Sequence, residues 1–156
     1  MNNKSEILLK LATRTISYFR EELQLNIDDK FEIIEVDNIE YLDISTLISL
    51  SNGMPGTIGM SVSNELAYSM VEGFIFGEMD KEELEELSGE NVAETLNITL
   101  GNIIKELDIV KNGASIDIST PYTMHNSVSI TKKKNGQMIL CRLKLKDEDI
   151  ILSYFI

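Results

Sequence analysis

Apolar residues recur at helical spacing near the start of the chain, and they predict an amphipathic helix over residues 4–23. Residues 31–36, 41–50 and 57–62 are instead rich in residues that favour strands. Asn52-Gly53 and Pro55-Gly56 mark turns around them. Ser63 is then predicted to cap a second helix, which runs to about residue 76 and stops at Gly77.

The second half repeats this order of patterns. Residues 80–86 predict a short helix, and Ser88 or Gly89 is expected to start a long one over residues 90–107. Extended structure is favoured at residues 115–119, 127–131, 137–145 and 150–155. Asn135-Gly136 predicts a type I′ hairpin between two of these strands, because both residues tolerate a positive φ.

The order of helices and strands indicates an α+β fold, with long helices packed on a mainly antiparallel sheet. At 156 residues the chain fits one compact domain, so we expect a single domain over residues 1–156. Each half consists of a long helix followed by several strands, which suggests an internal pseudo-duplication, although no residue-level repeat accompanies it.

Composition narrows the possible functions. A net charge of −12 would repel the phosphates of DNA and RNA, so we expect no nucleic-acid partner. The sequence has no apolar run of membrane-spanning length, and its single cysteine, Cys141, favours a reducing cytoplasm. With one cysteine and one histidine, His125, a zinc or iron site is not expected. His125 itself is predicted to be an exposed loop residue, and the acid-rich residues 80–90 a solvated linker and helix start.

The long helix of the second half carries the most informative pattern. At about 100° per residue, its apolar positions gather on one side. These are Val92, Leu96, Leu100, Ile103 and Leu107. Its polar and small positions gather within roughly 60° of one another on the opposite side, which predicts an outward-facing stripe. These are Glu90, Glu94, Asn97 and Gly101.

Gly101 is unusual in this stripe, because a glycine inside a helix costs about 1 kcal/mol relative to alanine. Three interpretations remain open from the sequence. The bare backbone lets another molecule approach beside Asn97, or it lets another part of the same chain pack there, or the glycine is the result of neutral drift.

The Glu94-x-x-Asn97 pair followed by Gly101-Asn102 resembles the signature helix of the CheC, CheX and FliY group of chemotaxis phosphatases. Residues 116–121, which end at Pro121, are similar to the family segment that follows this helix. Residues 56–61 also resemble the family. The first predicted helix lacks both Glu-x-x-Asn and Gly-Asn, so the chain has one such site and resembles CheX more than CheC or FliY.

This resemblance implies a phosphatase that hydrolyses the aspartyl phosphate of a CheY-like response regulator. It implies catalytic roles for Glu94 and Asn97, with Asn97 orienting water, and partner contacts for Gly101 and Asn102. It implies a homodimer, no cofactor of its own, and Mg²⁺ in the partner. Where this chain has Glu90 the family commonly has Asp or Ser, so we assign Glu90 no catalytic role.

Two other functional classes stay open at this point. One is a non-catalytic adaptor that binds a response regulator, or a component of the flagellar switch. The other is a small-molecule enzyme, which would need a pocket with converging titratable groups. Phosphate release from a phosphorylated regulator, with and without the protein, would distinguish these classes.

Overall fold

A computed structural model describes residues 2–75 and 77–156. Its α-helices are α1 (Asn3–Ser17), α2 (Asn64–Val71), α3 (Lys81–Ile104) and α4 (Asp108–Lys111). Its strands are β1 (Ile34–Glu35), β2 (Asn38–Glu40), β3 (Ile44–Asn52), β4 (Gly56–Val62), β5 (Ile116–Ile118), β6 (Tyr122–Met124), β7 (Ser129–Thr131), β8 (Met138–Leu145) and β9 (Glu148–Phe155). A π-helical turn at Tyr18–Glu22 extends α1, and a 3₁₀ turn at Glu72–Phe74 follows α2.

Seven strands form one antiparallel sheet in the order β1-β8-β9-β4-β3-β5, with β6 also paired to β3. The strands β2 and β7 form a separate antiparallel pair. Both long helices pack on the large sheet and on each other. This confirms the predicted α+β class with a mainly antiparallel sheet. Within the described residues, no helix combines the length and the apolar character needed to cross a bilayer.

The large sheet buries both of its faces. Along β9, Ile150, Leu152 and Tyr154 point toward the helices and belong to the main core, whereas Ile151 points to the other side. There a smaller cluster forms, in which Ile151 packs with Tyr41 and with side chains of the β2–β7 pair. Since the sheet supplies the buried surface, α3 needs to bury only one of its own faces.

The two halves place their elements in related positions. The hairpin β3–β4 follows α1 along the chain, and the hairpin β8–β9 follows α3. The two hairpins meet where β4 pairs with β9, at the centre of the sheet. Each long helix packs across the hairpin of the other half, α1 on β8 and β9, and α3 on β3 and β4. This is the arrangement of elements that a duplication would produce.

The predicted start of the long helix is wrong. Residues 80–86 do not form a separate helix, because α3 runs without a break from Lys81 to Ile104. Asp80 caps it, accepting a hydrogen bond from the backbone N–H of Glu83, whose side chain accepts from the backbone N–H of Asp80. This reciprocal capping box satisfies two of the free backbone amides at the start of the helix, those of Asp80 and Glu83. Ser88 and Gly89 therefore lie inside the helix, and both are buried.

The predicted hairpin at Asn135-Gly136 is also wrong. Asn135 has a φ of 64°, yet the strands on either side of it do not pair with each other. Instead β7 pairs with β2, and β8 pairs with β1 and β9. A two-residue hairpin turn does occur at Lys146 and Asp147, where Lys146 has a φ of 48°. Neither residue is the asparagine or glycine that normally signals such a turn.

Smaller differences concern the ends of elements. The first α-helix ends at Ser17, and the next turn is π-helical. The helix predicted to run to about residue 76 ends at Val71, and residue 76 itself lies outside the described residues. The strand predicted at residues 31–36 is reduced to Ile34–Glu35, and the strand Tyr122–Met124 was not predicted. The N-cap role of Ser63 is confirmed, since its side chain accepts a hydrogen bond from the N–H of Leu66.

Gly59 illustrates how tightly the far face of the sheet is packed. It lies on β4, opposite Ser153 of β9. A Cβ at Gly59 would lie 2.6 Å from the Oγ of Ser153 and 3.0 Å from the hydroxyl of Tyr41. These two hydroxyl groups share a buried hydrogen bond of 2.7 Å. Gly59 therefore leaves the room that this bond requires.

We expect Gly59→Ala to lower the free energy of unfolding by about 2–4 kcal/mol, because the added methyl overpacks the site and displaces a buried hydrogen bond. Urea denaturation would measure the loss. Gly73→Ala is the control, because a Cβ at Gly73 meets nothing within 4 Å. Equal stability of the two variants would contradict this account.

Candidate functional site

The helix α3 presents two opposite faces. The apolar positions predicted to pack do so, since Val92, Leu96 and Leu100 are fully buried and Ile103 nearly so. Leu107 is also buried, although it lies just beyond the helix, at the start of α4. Because these residues fix the rotation of α3 about its axis, they also determine which residues face away from the core.

The polar stripe occupies that outward side. Glu90, Glu94 and Gly101 are exposed, whereas Asn97 is partly buried. Asn97 lies at the edge of the stripe, about 60° around the helix from Glu94, so neighbouring groups cover part of it. The structure therefore brings Glu94, Asn97 and Gly101 together on one accessible face.

Neither Glu94 nor Asn97 is engaged within the fold. In this part of α3, the side-chain hydrogen bonds formed among the described residues are those of Thr95 and Thr99. Both hydroxyls donate to the helix's own carbonyl groups, at Asn91 and Thr95. The carboxylate of Glu94 and the amide of Asn97 thus retain their hydrogen-bonding capacity for another molecule.

Gly101 leaves open space beside this pair. A Cβ built on Gly101 meets no atom within 4 Å, so no described part of the chain packs against it. The interpretation that Gly101 accommodates another part of the same chain is therefore wrong for the described residues. What remains is a bare patch of helix backbone on the same face as Glu94 and Asn97.

Asn102 points in a different direction from the other three. It lines the cleft between α1 and α3, next to Arg14 and Ser17, in two adjoining cavities of about 260 and 480 Å³. Ile98 lines the smaller cavity and is 51% exposed. The exposed surface of α3 therefore extends from the outward stripe, by way of Ile98, to the α1–α3 cleft.

A contact that the sequence did not reveal lies on the buried side of α3. A Cβ at Gly89 would come within 2.5 Å of the imidazole of His125, so the ring rests directly on the helix backbone. His125 is exposed, as predicted, but it is not a free loop residue. The contact joins residues far apart in the chain, and no local pattern signals it.

The N-terminal part of α3 carries mainly negative charge. The acid-rich segment predicted to be solvated forms the first turns of α3, where Glu82, Glu83, Glu86 and Glu90 are exposed. Lys81 and Glu85 are 4.0 Å apart across one helical turn, a weak surface ion pair. Among the described residues, no group of three or more histidine, cysteine, aspartate or glutamate side chains is placed to hold a metal ion.

Comparison with known families identifies CheX. The sequence model of the family described as "Chemotaxis phosphatase CheX" matches residues 44–144, which is more than half of the chain and includes all of β3 and α3. No curated protein matches the sequence.

Solved structures share the fold at low sequence identity. A chemotaxis protein CheX from Desulfovibrio desulfuricans has a TM-score of 0.74 at 13% identity, covering 96% of this chain and 97% of its own. CheX from Vibrio vulnificus has a TM-score of 0.75 at 18% identity, covering 97% and 99%. The CheX–CheY–BeF₃–Mg²⁺ complex from Borrelia burgdorferi contains a chain with a TM-score of 0.69 at 19% identity, covering 97% and 96%.

Proposed function

This chain belongs to the CheX family of chemotaxis phosphatases, and on that premise we propose that it accelerates hydrolysis of the aspartyl phosphate of a CheY-like response regulator. The observation that carries the proposal is the accessible stripe of α3, where Glu94, Asn97 and Gly101 share one face. A structurally similar protein, from Borrelia burgdorferi, was solved with CheY, BeF₃ and Mg²⁺. It supports a CheY-like partner for this chain.

The reaction requires positioning more than covalent chemistry. An acyl phosphate is already reactive, and water must attack phosphorus in line with the bond to the aspartate oxygen. That P–O bond breaks, which yields inorganic phosphate and a free aspartate on the regulator. A Mg²⁺ ion held by the regulator would offset the charge on the phosphoryl oxygens.

Asn97 is the residue we propose to orient the water. An amide offers both a donor and an acceptor, and it does not change charge with pH. Asn97 is free to act in this way, because its side chain makes no hydrogen bond within the described residues. When its partly exposed amide is inserted beside the phosphoryl group, it would hold one water molecule in line with the phosphorus atom, in place of mobile solvent.

We propose that Glu94 determines where along α3 the regulator docks. It lies one helical turn before Asn97 on the same face and is exposed. Its carboxylate can pair with a lysine of the regulator, and such a charge-assisted hydrogen bond is stronger than a neutral one. Gly101 would let the partner's backbone approach closely, and Asn102 would contact it from the side of the cleft.

Glu94→Ala should raise the regulator concentration that gives half-maximal activity by about tenfold, because a docking ion pair is lost. The rate at saturation should fall less. Steady-state kinetics with a purified phosphorylated regulator would separate these two effects. Glu90→Ala removes the same charge one turn earlier on the same stripe, and it should change either parameter by less than about threefold. A larger effect at Glu90 than at Glu94 would contradict the assignment.

The proposed unit of function is residues 1–156 as one domain, acting as a homodimer with one site per chain. Light scattering of the purified protein would determine the oligomeric state. The adaptor and switch-component alternatives predict binding to the regulator without faster phosphate release. The test is the rate of phosphate release from a phosphorylated CheY-like regulator, with and without the protein. Acceleration supports the phosphatase, and binding without acceleration supports the adaptor.

A further inference from the structure

A cavity of about 480 Å³ lies between α1 and α3, beside the proposed site. Three of the side chains around it are cationic, namely Lys10 and Arg14 from α1 and Lys105 from the end of α3. Glu106 is the one carboxylate among its lining residues. The cavity is therefore net positive, in a chain whose overall charge is −12.

None of these three cations forms an ion pair within the described residues. The ion pairs formed among residues 2–75 and 77–156 involve Lys81, Lys132, Arg142 and Lys144. Lys10, Arg14 and Lys105 take part in none of them. Three unpaired like charges around one cavity repel each other, and an anionic group that entered it would remove that repulsion.

The cavity lies within the reach of a partner that docks on Asn97. Lys105, the residue after the last turn of α3, follows Asn97 by eight residues, which corresponds to about 12 Å along the helix axis and about 80° around it. Asn102 lines the cavity and is adjacent in sequence to Gly101. A protein interface of ordinary size covers about 800 Å² on each partner, so one regulator can cover both places.

We propose that this cavity binds carboxylate side chains of the response regulator while its phosphoryl group is held at Asn97, an inference that rests on the proposed function. The phosphoryl group itself cannot occupy both places at once. The occupant is therefore a second, acidic element of the same partner, separate from the phosphorylated aspartate. The cavity would thus select among regulators by their surface charge, because a regulator with a basic element at that place is repelled.

The test compares two double variants that remove the same charge. The cavity variant, Lys10→Gln/Lys105→Gln, removes two of the cations that line the cavity. The loop variant, Lys133→Gln/Lys134→Gln, removes two exposed cations from the loop between β7 and β8. The probe is a purified CheY-like regulator of the source organism, activated with beryllofluoride and Mg²⁺, and its dissociation constant is measured by calorimetry. Thermal unfolding of each variant checks that the fold is intact.

The cavity variant should bind the regulator about tenfold more weakly, whereas the loop variant should change the affinity by less than about twofold. Added salt should weaken binding of the unmodified protein more than that of the cavity variant, because salt screens the removed charges. Equal weakening in the two variants, or no binding of any regulator tested, overturns the inference. Cavity-dependent binding without accelerated phosphate release would instead overturn the proposed function and leave the inference standing.

Discussion

Asn97→Ala is expected to reduce the stimulated dephosphorylation of a phosphorylated regulator by at least about a hundredfold, because no other group on the stripe can align the water. The carboxylates of Glu90 and Glu94 can accept a hydrogen bond but cannot donate one, and Gly101 has no side chain. The measurement is the initial rate of phosphate release at saturating regulator. Binding of the regulator should persist, since Glu94 and the α1–α3 cavity remain.

The variant should also stay folded. Asn97 is only partly buried and makes no hydrogen bond within the described residues, so its loss should change the free energy of unfolding by less than about 0.5 kcal/mol. Asn126→Ala, at an exposed asparagine in the loop after β6, is the matched control and should keep full activity. Near-full activity of the Asn97 variant would show that another residue positions the water.

Two substitutions at Gly101 should have separate effects. Alanine should raise the stability of the protein, and leucine should lower its activity. Gly101→Ala is expected to raise the free energy of unfolding by about 0.5–1 kcal/mol, because alanine favours the helix and its Cβ meets nothing within 4 Å. Gly101→Leu should leave the fold intact but lower kcat/KM by more than about tenfold, since the larger side chain would hold the partner away from Asn97. Urea denaturation and steady-state kinetics would measure the two effects.

The control for the leucine substitution is Ser69→Leu, which adds a similar exposed side chain on α2. It should leave kcat/KM unchanged. If Gly101→Leu also retained full activity, the bare backbone at Gly101 would be unnecessary for docking. Its cost to the helix would then have no functional explanation.

The sequence predicted the two faces of α3 correctly because both depend on helical periodicity alone. Val92, Leu96 and Leu100 recur at the helical period, and a helix that packs on a sheet must turn such a row inward. The position of Glu94 and Gly101 on the opposite face follows directly. The roles of these residues do not follow from periodicity, and they rest on the family and on the experiments proposed above.

The incorrect predictions arose where a local sequence signal was overridden, either by a stronger signal nearby or by contacts with residues distant in sequence. Ser88 is a good helix-capping residue, but the box formed by Asp80 and Glu83 caps the helix earlier and buries Ser88. Asn135 does adopt a positive φ, but its flanking strands find partners elsewhere in the sheets. The position of Asn102 in the cleft was not predicted either way, because it depends on where α1 packs and no pattern within α3 reveals this.

The central claim is that the chain is a phosphatase, and turnover at substoichiometric concentration tests it most directly. One part of the protein would be mixed with about a hundred parts of a phosphorylated CheY-like regulator with Mg²⁺, a ratio at which an enzyme must cycle many times to have an effect. We predict that the whole regulator pool loses its phosphoryl group faster than it does alone, with one phosphate released for each aspartyl phosphate lost. An unchanged rate of loss for a regulator that demonstrably binds the chain would contradict the account.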